Sequence, residues 1–204
     1  MAVMLRAFKS YFALDGPAWD YERQALLRLR PIAGDAALGD RLMNLRDEYI
    51  HNTGASFDVA AMRAMRERQR RHLVTAGTFN AKFSAGGAVD LEYLVQAMQI
   101  NHGSSYEGLR HANTREAMQA LRTVGLLSDS DFEKMYAADQ FLKLLINALR
   151  MVRGNARDLT VPPAESEEFA FLARRLSYYS NVEKLASDLV RHSQNVREIN
   201  KRML

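Results

Sequence analysis

From residue 182 onward the apolar side chains fall at Val182, Leu185, Leu189, His192, Val196, Ile199 and Met203, alternating steps of three and four through three heptads. A step of three to four is the repeat of one face of an α-helix, and sustained alternation makes a seam that packs on a neighbouring helix. The same period runs through nearly the whole chain. Residues 19–30 carry Trp19, Leu26, Leu27 and Leu29 before Pro31 stops the pattern. Residues 36–50 follow Gly34-Asp35 with Leu38, Leu42, Leu45 and Tyr49 on one stripe. HNTGAS at 51–56 reads as a loop, and residues 57–74 as a helix through Val59, Met62, Met65 and Leu73. Asn113-Thr-Arg-Glu116 has the form of a capping box and opens 114–124, which Gly125 closes. Ser128-Asp-Ser-Asp131 opens the next helix, striped by Phe132, Met135, Leu142, Leu145, Ile146 and Leu149 and ended by Gly154. Val161-Pro-Pro163 is a rigid connector. The expected fold is all-α, a helical bundle with short loops. The rhythm breaks only in TAGTFNAKFSAGG, where Thr78, Phe79 and Phe83 fit a short extended piece near 78–83.

Composition bounds what such a bundle does. At 48% hydrophobic and 25% charged, 204 residues can bury a sizeable core. No apolar run nears the roughly 18–20 residues of a membrane span, and the N-terminus lacks the pattern of a cleaved signal. There is no cysteine, which excludes disulfides and thiolate metal sites and makes the cytoplasm the expected compartment. The net charge of +4 is mild, and much of it lies in RAMRERQRRH at 63–72. A solvated helix face with Glu67 interleaved is the plainer reading of that stretch. No aromatic side chain interleaves with the arginines for base stacking, so nucleic acid is not the expected partner.

KFSAGGAVDLEYLVQ at 82–96 has the most pointed local chemistry. Glycine permits positive φ and close approach of another group, and a following helix start gathers free amide N–H groups at its positive end. Lys82 adds a cation to that spot. Asp90 is placed to cap the helix resumed by Leu91, Leu94, Val95 and Met98, which partly occupies the same end. An anion site and a tight turn with a capped helix both fit Gly86-Gly87. The spacing is not that of a P-loop. Arg23 and Arg30, seven apart with Arg28 between them, fall on one face of the predicted helix, where guanidinium forks could reach a triphosphate or bridge to Glu22. Asp129 and Asp131 read as helix-start acids rather than a magnesium pair. The five histidines, His51, His72, His102, His111 and His192, form no metal-binding spacing, and no nucleophile elbow is present.

Several of these stretches, in order, resemble one family. AWDYERQALLRLRPIAGD at 18–35, MRERQRRHL at 65–73, KFSAGGAVDLEYLVQAMQINHG at 82–103, LRHANTREAMQALRTVGLLS at 109–128 and AADQFLKLLINALRMVRG at 137–154 look like the glutamine synthetase adenylyltransferases (glutamate–ammonia-ligase adenylyltransferases), which are related to the uridylyltransferase of the PII signalling protein. The resemblance runs from about residue 18 to 154 and fades toward the C-terminus. It implies a helical domain that follows a nucleotidyltransferase domain, in an enzyme that adds AMP to, or removes it from, glutamine synthetase. Trp19-Asp-Tyr-Glu22 looks more like the adenylylating half. The family's Gly-Ser followed by Asp-x-Asp on a strand is missing, so no catalytic residue and no metal ligand is expected here. Residues 1–17 read as the tail of a preceding catalytic domain and 18–204 as a single helical-bundle domain, either a piece of a longer protein or one whose catalytic domain lies elsewhere. ATP and magnesium are expected for the intact enzyme, none in this chain alone. The resemblance implies a catalytic-domain partner, with glutamine synthetase and the PII protein as further partners. Arg23, Arg28, Arg30, Lys82, Gly86, Gly87 and Asp90 are the candidates to lie near the nucleotide. Replacing Gly86 and Gly87 by valine is then expected to reduce transfer in the intact enzyme while leaving the bundle folded. The competing reading is a stand-alone interaction module that binds protein or nucleic acid through the Arg63–His72 helix or the C-terminal seam.

Overall fold

Several helix starts in this chain are set by side chains that take up otherwise unpaired first-turn amides. Ser128 Oγ accepts from Asp131 N–H at 3.1 Å and opens a 25-residue helix, Asp129–Arg153. Asn181 Oδ1 does the same for Lys184 N–H and opens Val182–Met203. In the computed structural model, residues 4–13, 15–51, 58–155, 157–179 and 181–204 are described. Among them lie nine α-helices: α1 (Leu5–Phe12), α2 (Asp20–Ala25), α3 (Ala36–His51), α4 (Val59–Leu73), α5 (Ala88–His102), α6 (Thr114–Thr123), α7 (Asp129–Arg153), α8 (Glu167–Arg175) and α9 (Val182–Met203). The all-α expectation holds. The extended piece near 78–83 is a single antiparallel bridge between Asn80 and Thr160, and no strand forms among the described residues. Of the loop expected at 51–56, His51 closes α3 and the rest lies outside the described residues.

Backbone contacts group into two units, Met1–Met62 with Val95–Leu127, and Arg63–Leu94 with Ser128–Leu204. In the first, Leu26, Leu27 and Ile50 are buried together, and Phe8, Phe12, Leu29 and Ile100 pack on them. Each fully buried aliphatic or aromatic side chain of this kind contributes about 1.5–3 kcal/mol. Two buried amide nitrogens find acceptors within this unit: Gln24 Nε2 donates to Gln96 Oε1 at 2.6 Å, and Gln99 Nε2 to the carbonyls of Leu109 and His111. The helix expected over 19–30 is shorter. α2 ends at Ala25 and tightens into a 3-10 turn, Leu26–Arg28. Trp19, counted as a stripe residue, is instead the exposed residue before α2, its N–H bonded to Glu22 Oε2.

In the second unit, Leu145, Leu149, Leu159, Phe169, Leu172 and Leu185 form the heart of the core. α9 packs chiefly on α7, and its seam residues Leu185, His192, Val196 and Ile199 are buried there. The seam is therefore satisfied within the chain, which removes it as a docking surface for a separate protein. His192 stacks on Phe141, ring centroids 4.6 Å apart. α8 was not among the expected helices, although Ser166 followed by two glutamates is a helix-start signature. Ser166 Oγ accepts from Phe169 N–H at 3.1 Å, and Phe169, Leu172 and Ala173 are its buried face. No helix among the described residues is long and apolar enough to cross a membrane.

Candidate functional site

The stretch that breaks the helical rhythm is held by a dense set of polar bonds, all within the second unit. Asn80 is its pivot. Its Oδ1 accepts from the amides of Lys82 and Phe83, both at 3.0 Å, its own N–H donates to Ser84 Oγ at 2.7 Å, and its carbonyl accepts from Ser84 N–H. Such a turn around an asparagine side chain substitutes for a backbone turn. Ala81 N–H donates to the Leu159 carbonyl and Val161 N–H to the Phe79 carbonyl, tying the loop to the Val161-Pro-Pro163 connector.

α5 begins at Ala88, two residues before the predicted cap. The amides of Ala88 and Val89 donate to the Ala81 and Lys82 carbonyls, and those of Asp90 and Leu91 to the Gly87 carbonyl. The first-turn donors are thus consumed inside the chain, and the anion-site reading of this helix start gives way to the tight-turn reading. Asp90 does not cap by accepting first-turn amides. Lying in the third helical position, it reaches back, and its Oδ2 accepts from Gly86 N–H at 2.7 Å. Its Oδ1 meets Arg66 Nε at 2.6 Å, while Arg66 Nη2 also donates to the Phe83 and Ser84 carbonyls. Both partners of this ion pair are largely buried, at 11% and 15% side-chain exposure. Arg66 is the partner of Asp90 that the sequence alone does not single out, because it lies inside a stretch that reads as a solvated basic face.

Gly86 has φ +78°, and a Cβ there would lie 2.2 Å from the Ser193 carbonyl oxygen. The close approach that the glycine permits is therefore to the α9 backbone. A Cβ on Gly87 would lie 2.9 Å from the Lys82 and Ser84 carbonyls. Valine at these positions would press on the Ser193, Lys82 and Ser84 backbone, so the expectation that the bundle stays folded carries a stability cost. Asn200 Nδ2 adds a bond to the Asp90 carbonyl. Lys82 is half-buried, its Nζ 4.9 Å from the centre of the Phe83 ring.

Arg23, Arg28 and Arg30 belong to the first unit. Arg23 Nη2 donates to the Ala13 carbonyl at 2.7 Å, and Arg28 Nη2 lies 3.4 Å from Thr114 Oγ1. Because the helix ends at Arg28, Arg30 lies outside it and the seven-residue spacing no longer places Arg23 and Arg30 on one face. The two acids at 129 and 131 serve the α7 start. Against the burial that would raise it, the Ser128 hydroxyl and Arg202 hold the Asp131 carboxyl below its usual range, with Arg202 Nη2 2.6 Å away. Asp131 is spent on that pair and Asp90 on Arg66, so these carboxylates do not fit a magnesium site. Among the described residues no group of three or more potential ligands gathers around one point.

On the flank of the braced loop lies an open cleft of about 420 Å³, within the second unit. Arg70, Arg71 and Val74 of the α4 end, the turn Thr75–Phe79, Ser84, Ala85 and Arg197 of α9 line it. Arg70 pairs with Glu67 at 2.8 Å, and Arg71 approaches the same carboxylate at 3.5 Å.

The chain matches the sequence model of the family described as GlnD PII-uridylyltransferase over residues 59–204. The chain belongs to this family. The match includes the C-terminal region where the sequence resemblance had faded. Relatives agree on the same group. The bifunctional glutamine synthetase adenylyltransferase/adenylyl-removing enzyme of Streptomyces coelicolor is 32% identical over 181 residues, 86% of this chain and 18% of that protein. Its namesakes from Mycobacterium tuberculosis and Bordetella pertussis are each 32% identical, over 95% and 87% of this chain and 20% of each relative. The chain thus spans about a fifth of the length of these relatives and is similar to a helical region of a nucleotidyltransferase.

Proposed function

We propose that the chain is a helical accessory domain of an adenylyltransferase-type enzyme, acting beside a separate nucleotidyltransferase catalytic domain to position nucleotide or protein substrate for AMP transfer. One observation carries this reading: nearly the whole chain, all-α where described, is similar to about a fifth of bifunctional enzymes named for adenylylating and de-adenylylating glutamine synthetase. Glutamine synthetase is then the protein substrate and the PII protein a regulator. ATP and magnesium act at the catalytic domain, where paired carboxylates would align the triphosphate for transfer. This chain's contribution is shape. The Asn80 turn, the Arg66–Asp90 pair and the α9 backbone on Gly86 hold the 79–90 segment in one conformation, as a positioning surface requires. The cytoplasm is the compartment consistent with these partners.

The test is titration of ATP with magnesium against this chain and against a protein extended through the catalytic domain. The reading expects saturable binding in the extended protein that Asp90→Asn weakens. Equal ATP affinity in the chain alone and in the extended protein, unaffected by Asp90→Asn, would overturn it.

A further inference from the structure

The basic cleft shares Phe79 and Ser84 with the braced loop, while its three arginines stand outside the Asn80 turn and the Arg66–Asp90 pair. Its lining carries three guanidinium groups and no carboxylate. Glu67, which does not line it, is shared between Arg70 and Arg71, so one negative charge faces two positive ones. Arg71 remains 69% exposed at its side chain. Arg197 leans only its Nε on the Ser193 carbonyl, at 3.4 Å, and among the described residues no carboxylate pairs with it. Two of the three side chains come from the last turn of α4 and the third from α9, so they approach the same space from two walls. The turn Thr75–Phe79 forms a third side. It is closed by the Thr78 N–H and Oγ1 bonds to the Thr75 carbonyl, with Gly77 at φ +76° and open space where a Cβ would stand. Val74, Phe79 and Ala85 add apolar lining beneath the charges.

Guanidinium forks match the oxygens of phosphate groups, two donors to two acceptors, and a set of them from separate elements recognises an anion with more than one charge. The volume is in the range of small-molecule sites. We propose that this cleft binds a small phosphate-bearing anion, a phosphate ester or polyphosphate, through Arg70, Arg71 and Arg197. The site is separate from the loop start, whose amides are consumed. It does not depend on the accessory-domain reading, and its failure would leave that reading standing.

Inorganic pyrophosphate is the probe. Calorimetric titration of the full chain should give saturable binding that weakens as potassium chloride rises from low to physiological strength, since the guanidiniums are screened. In amide NMR spectra the shifts should concentrate at residues 74–79, 84, 85 and 197. Arg71→Gln and Arg197→Gln should each weaken binding about five- to tenfold, the loss expected for one charge-assisted bond at a partly exposed site. Arg63→Gln, an exposed arginine of the same helix that does not line the cleft, should leave it unchanged. Both cleft arginines are exposed, so circular dichroism of the variants should match the parent. Absence of saturation, unchanged affinity in both cleft variants, shifts centred elsewhere, or succinate binding as tightly as pyrophosphate would each overturn the proposal. The last result would make the site one for carboxylates. Binding of an acidic peptide without binding of pyrophosphate would overturn it too.

Discussion

Gly86→Ala tests whether the braced loop is fixed by the α9 backbone. Two costs add. At φ +78° an alanine sits in the left-handed region, which costs about 1–2 kcal/mol. Its Cβ would also stand 2.2 Å from the Ser193 oxygen and 2.8 Å from the Ser193 carbonyl carbon, both backbone atoms of a long packed helix. Relief needs the loop and α9 to part by roughly 1 Å, and overpacking of that kind costs about 1–3 kcal/mol. Gly77→Ala supplies the control, because its φ is +76° and nothing lies within 4 Å of the added carbon. The control bears the backbone cost alone, partly offset by about 0.4–1 kcal/mol from the stiffer unfolded chain. The same offset applies at both positions, so Gly86→Ala is expected to lose about 1–4.5 kcal/mol and the control about 0–1.5 kcal/mol, a difference of about 1–3 kcal/mol. Urea unfolding followed by circular dichroism measures both, and in a chain of this size the difference corresponds to a drop in Tm of roughly 2–12 °C. Equal losses in the two variants would refute the claim that Ser193 dictates glycine at 86.

Three further expectations follow from the same contacts. Asp90→Asn breaks a largely buried ion pair and strands Arg66, so it should cost about 3 kcal/mol, with Arg66→Gln/Asp90→Asn costing clearly less than the sum of the singles in a double-mutant cycle. Ser128→Ala removes the α7 cap and should cost about 1 kcal/mol by urea midpoint, whereas an unchanged midpoint would deny the cap its role. Burial, then the Arg110 charge, pushes His51 down to about 4, with Arg46 acting in the same sense and Asp47 opposing. A folded value below the unfolded one of about 6.5 means the unfolded chain binds the proton first, so the stabilisation is full above that pH and is lost as pH falls toward 4. The unfolding free energy measured in urea should accordingly fall between pH 7 and 4.5, by up to about 3 kcal/mol, and His51→Leu should flatten that fall.

What the sequence disclosed and what it hid follow from the range of the forces involved. Helix starts at Asn113 and Ser128 depend on residues two or three positions away, and period alone marks the α7 and α9 stripes. Both were legible. α8 escapes the period reading although Ser166-Glu-Glu marks its start; its nine residues offer only about two and a half turns of apolar period. The shortening of α2 into a 3-10 turn depends on how Leu26 and Leu27 meet Ile50, Phe8 and Phe12, which no local spacing encodes. At the candidate site the glycines, Lys82 and Asp90 were singled out by type. Their real partners, Ser193 for Gly86 and Arg66 for Asp90, stand 107 and 24 positions away in the chain. The consumption of the α5 amides by the Ala81 and Lys82 carbonyls was invisible for a related reason. A glycine pair before a helix looks the same in sequence whether the turn folds back on the helix or opens to a ligand.

The central claim is that this helical domain shapes a nucleotidyl-transfer site without operating one. Its most direct test is incubation of the purified 204-residue chain with magnesium, glutamine synthetase and ATP labelled at the α-phosphate, beside the same chain joined to its catalytic domain. The account predicts label on glutamine synthetase only when the catalytic domain is present. Labelled glutamine synthetase from the 204-residue chain alone would contradict it.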